Sequence, residues 1–342
     1  MEKKSTNPLQ SILTIVISLA FAGFFLWLAL RGLDFKVIQK SLAKANYLWV
    51  LFASVFGILA YWFRAIRWNL MLEPMGHRIS SSNALWSISF GYLMNLTIPR
   101  SGEVARATAL YGVEKVPVDK SFGTIILERV VDLMCMGAFL GLTLIFKYEA
   151  ILSFYKNSGV NVSPTKIIII LFILIVGTAL FFIFKKKLAE VSFLGKIIGF
   201  IDGIFLGLTS IFKLKEKGKF ILYTIGIWVC YYFAAYLVCF ALPETSDFTF
   251  ADGFFIIVVG TLGMIIPASG GIGAFNLAMK YGFMALFLSI GKSAEFGGEM
   301  GLTYSFISLP LQICIMLVMG LISIPMLARA RNKAVSQQEH QH

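Results

Sequence analysis

Long apolar blocks closed by short basic clusters set the pattern of this chain. The stretches 11–30, 220–242 and 301–327 hold no charged side chain. A helix of about 20 apolar residues crosses the hydrocarbon core of a bilayer, and inside lipid a backbone must satisfy its own polar groups. The pattern therefore predicts transmembrane helices. The short alternating segments of a membrane β-barrel are not found. Spans are predicted at 11–30, at 47–72, at 121–146, at 167–184 before Lys185, Lys186 and Lys187, at 220–242, and in a last stretch ending near Leu327. Lys3 and Lys4 precede the first run, which ends in no small-x-small cleavage site, so it reads as a retained helix rather than a signal peptide.

Two apolar stretches are broken. Residues 84–99 are short for a span and run straight into Arg100, Glu103 and Arg106. Residues 253–279 are interrupted by Pro267 and by Gly270, Gly271 and Gly273. A further apolar piece, 281–291, precedes what reads as a glycine-rich loop, 297–301. Residues 188–219 mix apolar and basic positions and predict an interfacial or cytoplasmic helix. A basic linker at 31–46 and a disordered polar tail at 329–342 complete the outline.

The two breaks resemble each other. One reads Pro99-Arg100-Ser101-Gly102, the other Pro267-Ala268-Ser269-Gly270, about half the chain apart. Proline lacks a donor and glycine tolerates unusual dihedrals, so both end helices. Each unit is read as two half-helices meeting at a break, a re-entrant hairpin. Segment 185–219 carries eight lysines against Glu190, Asp202 and Glu216, whereas 243–252 has Glu244, Asp247 and Asp252 and no Lys or Arg. The positive-inside rule puts 185–219 and both termini in the cytoplasm and 243–252 outside. The linker 31–46 then falls outside despite Arg31, Lys36, Lys40 and Lys44. The expected fold is an all-α, polytopic integral membrane protein with two units, 47–146 and 220–327. Each unit is a span, a hairpin and a span, in opposite orientations. Broken segments at corresponding places in two halves point to a transport site at the bilayer midplane.

Composition agrees: 58% of the 342 residues are hydrophobic and 14% charged, against about 25% charged in a soluble domain. The net charge of +12 sits at the ends of apolar blocks, which suits anionic headgroups rather than nucleic acid. Cys135, Cys230, Cys239 and Cys314 lie within apolar spans, at spacings that match no metal or disulfide framework.

Chemistry enters through charges that interrupt the apolar pattern. Arg64 and Arg67 are three apart and share a helix face, a pairing that either grips a phosphate bidentately or snorkels to headgroups. Arg100, Glu103 and Arg106 repeat the spacing just past the first break, where Ser101 is placed to cap a half-helix and its N–H groups face an anion. Glu128 and Asp132 share a face, with Arg129 beside them, inside a predicted span. Charges there are costly and mark either a pathway or a salt-bridge lock. Arg64, Arg67, Arg100, Arg106 and Arg129 are the candidate phosphate ligands. Glu103, Glu128 and Asp132 are the candidate counter-ions or proton carriers. No P-loop, HExxH or G-x-S-x-G motif is present, and His77, His340 and His342 are the three histidines. No metal or cofactor is expected.

These motifs in this order resemble the lysylphosphatidylglycerol synthase transmembrane-region family: Arg64-Ala65-Ile66-Arg67-Trp68, the series from Pro99 to Arg106, Glu128-Arg129-Val130-Val131-Asp132, and the run from Pro267 to Gly273. The resemblance covers roughly residues 10–330 and implies a flippase-like lipid transporter of the cytoplasmic membrane. The chain reads as a stand-alone member without the synthase domain, so aminoacyl transfer is not carried over. The family often has a Glu two or three residues after Gly273; Ala274, Phe275 and Asn276 stand there in this chain. The implied substrate is a membrane phospholipid or a polyprenyl-phosphate-linked lipid. A separate cytoplasmic synthase and a second copy of the chain are the further partners considered. The expected function is transport rather than catalysis. Two rivals stand beside it: a membrane enzyme acting on lipid headgroups through Glu103, Glu128 or Asp132, and a scaffold recruiting a synthase through 185–219.

Overall fold

The structure, a computed structural model, describes residues 24, 27, 35–98, 100–157, 214–265 and 271–339. Most of the predicted span 11–30, the span 167–184 and most of 188–219 lie outside the described residues, as do Pro99, Pro267, Ser269 and Gly270. Among the described residues every regular element is helical: α1 (Phe35–Lys44), α2 (Tyr47–Leu72), α3 (Ser81–Thr97), α4 (Gly102–Glu114), α5 (Val118–Phe146), α6 (Tyr148–Asn157), α7 (Lys217–Cys239), α8 (Phe250–Ile265), α9 (Ala274–Ser289) and α10 (Ala294–Glu339), with single 3-10 turns at Glu73–Met75 and Pro243–Thr245.

The order long, short, short, long occurs twice, in α2–α5 and in α7–α10. The long helices α2 and α7 pack antiparallel. Trp49 meets Phe240 with ring centroids 5.2 Å apart, Phe56 stacks on Phe233 at 5.1 Å, and further along Arg67 reaches Thr224. The pair α3–α4 opens at the C-terminal end of α2. There Asn69 Nδ2 donates to Ser81 Oγ at 2.9 Å, and Glu114 Oε1 accepts from Ser80 N and Asn83 Nδ2. The pair α8–α9 opens at the other end of α2 and α7. Tyr232 and Tyr236 donate their hydroxyls to the carbonyls of Phe250 and Phe248 at 2.6 and 2.8 Å, and Phe248 packs on Phe283 and Phe287 of α9. The two helix pairs thus begin at opposite ends of the α2–α7 pair. Lys147, at the end of α5, closes this second end with an ion pair to Asp252 at 2.6 Å.

Each hairpin has its own apolar core. Trp68, Met71, Leu72, Ile88, Leu110 and Ile125 surround the first, and Phe255, Phe275, Met279, Phe283, Met300 and Tyr304 the second. Close helix contact comes from missing side chains. A Cβ on Gly91 would lie 2.6 Å from the Gly102 carbonyl oxygen, so the α3 and α4 backbones touch near the break.

Three expectations change. The linker 31–46 contains a helix, α1, whose Ile38 and Ser41 are buried and which packs on α10. Its position is set where Asn46 N donates to the Ala241 carbonyl at 2.7 Å, beside the acidic 243–252 segment. The glycine-rich loop 297–301 is the first part of α10: Gly297 and Gly301 sit against the α9 backbone at Phe283 and Met279, where a side chain would collide. Glycine there serves packing, not a turn. The tail from Arg329 is helical as far as Glu339 rather than disordered, a continuation of α10 past Pro310 and Pro325.

Candidate functional site

Three elements converge on one cluster of charge. Arg64 and Arg67 come from α2, Arg106 from α4, and Glu128 and Asp132 from α5. The spacing of three in α2 and four in α5 puts each pair on one face. Arg64 forks between the acids: Nη1 donates to Glu128 Oε1, and Nη2 to Asp132 Oδ2 at 2.7 Å. Its Nε donates to the Tyr231 hydroxyl at 2.8 Å. Arg67 donates from Nη2 to Asp132 Oδ1 at 3.2 Å and from Nη1 to Thr224 Oγ1 at 3.3 Å, with Glu128 Oε1 at 3.8 Å. Arg106 meets Glu128 with both terminal nitrogens, and its guanidinium lies 3.8 Å from the centre of the Trp68 ring. Trp68 is fixed in turn by donating Nε1 to Thr124 Oγ1 at 2.8 Å.

The cluster is shut from solvent. The side chains of Arg67 and Glu128 are 0% exposed, and Arg64 and Arg106 nearly as buried. Three guanidiniums stand against two carboxylates, so one positive charge is left over inside the protein. Arg67 Nε and Arg106 Nε have no hydrogen-bond partner among the described residues. Buried donors without acceptors are costly, and so is unbalanced buried charge. Both costs fall on the same group of side chains.

A second pair borders the first. Arg129 Nε donates to Glu103 Oε1 at 2.9 Å, and Arg129 Nη1 is 3.8 Å from Asp132 Oδ2. These side chains are open, 46% exposed for Arg129 and 39% for Glu103, while Asp132 at 14% lies between the open pair and the buried cluster. Arg100 stands apart. It is exposed, with φ of 63°, at the turn between α3 and α4, and holds no ion pair among the described residues. Ser101 does not cap α4; its hydroxyl donates back to the carbonyls of Met94 and Ile98. The Gly102 N–H goes instead to Asn95 Oδ1 at 2.8 Å. In the second hairpin Gly271 and Gly273 have positive φ, and Asn276 Oδ1 accepts from Gly273 N at 3.0 Å while its Nδ2 donates to Ser305 Oγ. Among the described residues no charged side chain joins that network. Sequence reasoning passed over Thr224 and Tyr231, which lie seven apart on one face of α7, a polar pair on an apolar span.

The outer faces fix the class. Leu51, Phe52 and Val55 of α2, Leu133, Leu144 and Ile145 of α5, Ile221, Leu222 and Ile225 of α7, and Val318 and Leu321 of α10 are all exposed. Apolar faces this extensive belong in lipid. Four described helices are long and apolar enough to cross it, Tyr47–Met75, Val118–Phe146, Lys217–Cys239 and Ala294–Lys333. This is a multi-pass helical membrane protein with charge buried between its helices.

The profile of the Lysylphosphatidylglycerol synthase TM region matches residues 15–328, and the chain belongs to that family. It is similar to the "Glycosyltransferase AglD" of Haloferax volcanii, 24% identical over 313 residues that make up 82% of this chain and 50% of that protein. It is also similar to the "UPF0104 membrane protein MJ1595" of Methanocaldococcus jannaschii, 30% identical over 122 residues, 35% of this chain and 36% of that protein. In both cases the match spans half or less of the relative's length. No solved structure matches.

Proposed function

We propose that this protein is a flippase-like transporter that moves a phosphate-bearing lipid across the cytoplasmic membrane. One observation carries the reading: a cluster of three arginines and two acids, buried except at the edge formed by Asp132, holds surplus positive charge and unused donors between membrane helices. Such a cluster is costly for stability alone, since a buried ion network is often no more stable than apolar packing of the same volume. An anion entering beside it would take up the surplus charge and the free donors. Arg64, Arg67 and Arg106 would hold the phosphate, with Glu128 and Asp132 as counter-ions that keep the arginines in place while the site is empty. Arg129 and Arg100 would meet the headgroup first, being exposed.

The opposed entry of the two hairpins supports two inverted units, and irregular backbone at membrane depth belongs against protein or a cavity. The end bearing Arg78, Lys115, Lys120, Lys217 and Lys219 would face the cytoplasm with both termini, and the end bearing Glu244, Asp247 and Asp252 the outside. The test is reconstitution in vesicles with a headgroup-labelled anionic lipid, reading the fraction reached by a membrane-impermeant quencher. The reading expects full quenching in protein-containing vesicles and half in empty ones. Arg129→Gln, a change at an exposed position, should slow the exchange by at least tenfold. Equal quenching with and without protein sinks the reading.

A second reading, a membrane enzyme acting on lipid headgroups, draws on the glycosyltransferase name of one relative. Against it, both oxygens of Glu128 are already engaged by arginines, which leaves it poorly placed to take a proton. Product formed in detergent, where sidedness is lost, would favour the enzyme.

A further inference from the structure

We propose that the Glu103 carboxylate is an internal stand-in for the lipid phosphate, a latch that occupies the mouth of the site until substrate displaces it. The inference rests on the transport reading and names the step by which the headgroup enters.

Depth comes first. Arg129 is the twelfth residue of α5, a helix of 29 residues. At about 1.5 Å per residue it lies roughly 17 Å along a helix of roughly 43 Å, near its middle. Its surroundings are exposed and apolar: Leu133, Met134 and Val104 all face outward. An ion pair open to a lipid-facing surface at this depth has poor structural justification. Its desolvation is costly, and apolar side chains of the same volume would serve packing as well.

Connectivity comes second. Glu103 contacts Arg129, Arg129 approaches Asp132, and Asp132 is shared by Arg64 and Arg67. The chain of contacts leads from the open surface to the sealed cluster through one partly exposed carboxylate. A phosphate that replaces Glu103 on Arg129 acquires a charge-assisted bond of the kind it breaks. It then stands one side chain away from the surplus charge inside. Glu103 sits in the first turn of α4 and Arg106 in the next. Release of Glu103 from α5 therefore removes one of the two ion pairs among the described residues that tie α4 to α5 and leaves the buried Arg106–Glu128 pair as the other. The ligand chemistry is a phosphate ester, and the occupant is one borne by a bilayer lipid.

The test compares the wild-type protein with Glu103→Gln, Glu103→Asp and Arg129→Gln, all purified in detergent. Each is titrated calorimetrically with short-chain phosphatidylglycerol, with and without inorganic phosphate as competitor. Removing the internal carboxylate should tighten Glu103→Gln for the lipid by about two- to fivefold, the range of one exposed ion pair. Glu103→Asp, which keeps the charge, should stay near wild type, and Arg129→Gln should bind more weakly. A merely structural tie would give weaker or unchanged binding in Glu103→Gln, and that result overturns the latch. Competition by inorganic phosphate at millimolar concentration would show a mouth that reads free phosphate and would overturn the lipid-borne assignment; no competition supports it. If the wild type flips lipid in vesicles while Glu103→Gln binds no tighter, the latch fails and the transport reading stands. If the wild type neither binds nor flips, both fail together.

Discussion

Arg106 meets Glu128 fork on fork: Nη1 lies 3.2 Å from Oε1 and Nη2 3.0 Å from Oε2, while the guanidinium carbon sits over the Trp68 ring, 3.8 Å from its centre. One side chain thereby joins three elements, α4 from the hairpin, α5 through the carboxylate and α2 through the indole. The planar, two-pronged donor is what makes this geometry available.

Replacing Arg106 with Lys should therefore behave as a disruptive change. Lysine keeps the charge but offers a point donor that cannot span both oxygens or lie flat on the indole. The expected loss is about 2 kcal/mol, the scale of one charged hydrogen bond together with the ring contact. Thermal unfolding in detergent would register it as a lower midpoint, and a midpoint equal to wild type would contradict the geometry.

Glu128→Gln should cost more, about 3–5 kcal/mol, because three guanidiniums would face one carboxylate in a sealed site. Asp132→Asn, at the partly exposed edge of the cluster, should cost distinctly less. The order of the two effects in one unfolding assay is the check. A double variant, Arg106→Met with Glu128→Gln, should lose less than the sum of its parts, since Arg106→Met removes a guanidinium that Glu128→Gln alone would strand.

Much of this arrangement is visible in the chain, and the reasons for the remainder are physical. The bounds of α2 follow from an apolar run and from Asn46, whose side chain accepts from Leu48 N at its start. Arg64, Arg67, Glu128 and Asp132 stand out because charge interrupts apolar spans, and Arg106 because it repeats a spacing of three past the break at Pro99. Spacing says that Arg64 and Arg67 share a face, but it cannot say what faces them. That Glu128 is shared by Arg64 and Arg106, and that Thr224 and Tyr231 complete the shell, are facts of tertiary packing. The glycines at 297–301 misled for a related reason: a residue without a side chain marks a turn or a close helix contact, and local sequence does not separate the two. The helix α1 has ten residues, too few to stand alone, and nothing in the basic stretch 31–46 announces it. It forms where α10 covers Ile38.

The contact between Gly91 and Gly102 yields the last prediction. A Cβ on Gly102 would overlap the Gly91 carbonyl oxygen and come 2.6 Å from the Asn95 amide, which also accepts the Gly102 N–H. The Gly91 oxygen is backbone and cannot turn aside, so Gly102→Ala must push α4 away from α3. One turn further along α4 is Arg106, and the displacement should carry its guanidinium off Glu128. We expect a loss of about 2–4 kcal/mol, in the range of overpacked contacts plus a weakened ion pair, together with slower lipid exchange. Gly112→Ala supplies the control on the same helix. A Cβ there meets nothing within 4 Å, and alanine's higher helix propensity should stabilise the protein by about 0.5–1 kcal/mol. If both substitutions raise the unfolding midpoint, the close crossing of α3 and α4 is wrong, and with it the placement of Arg106 against the acids of α5.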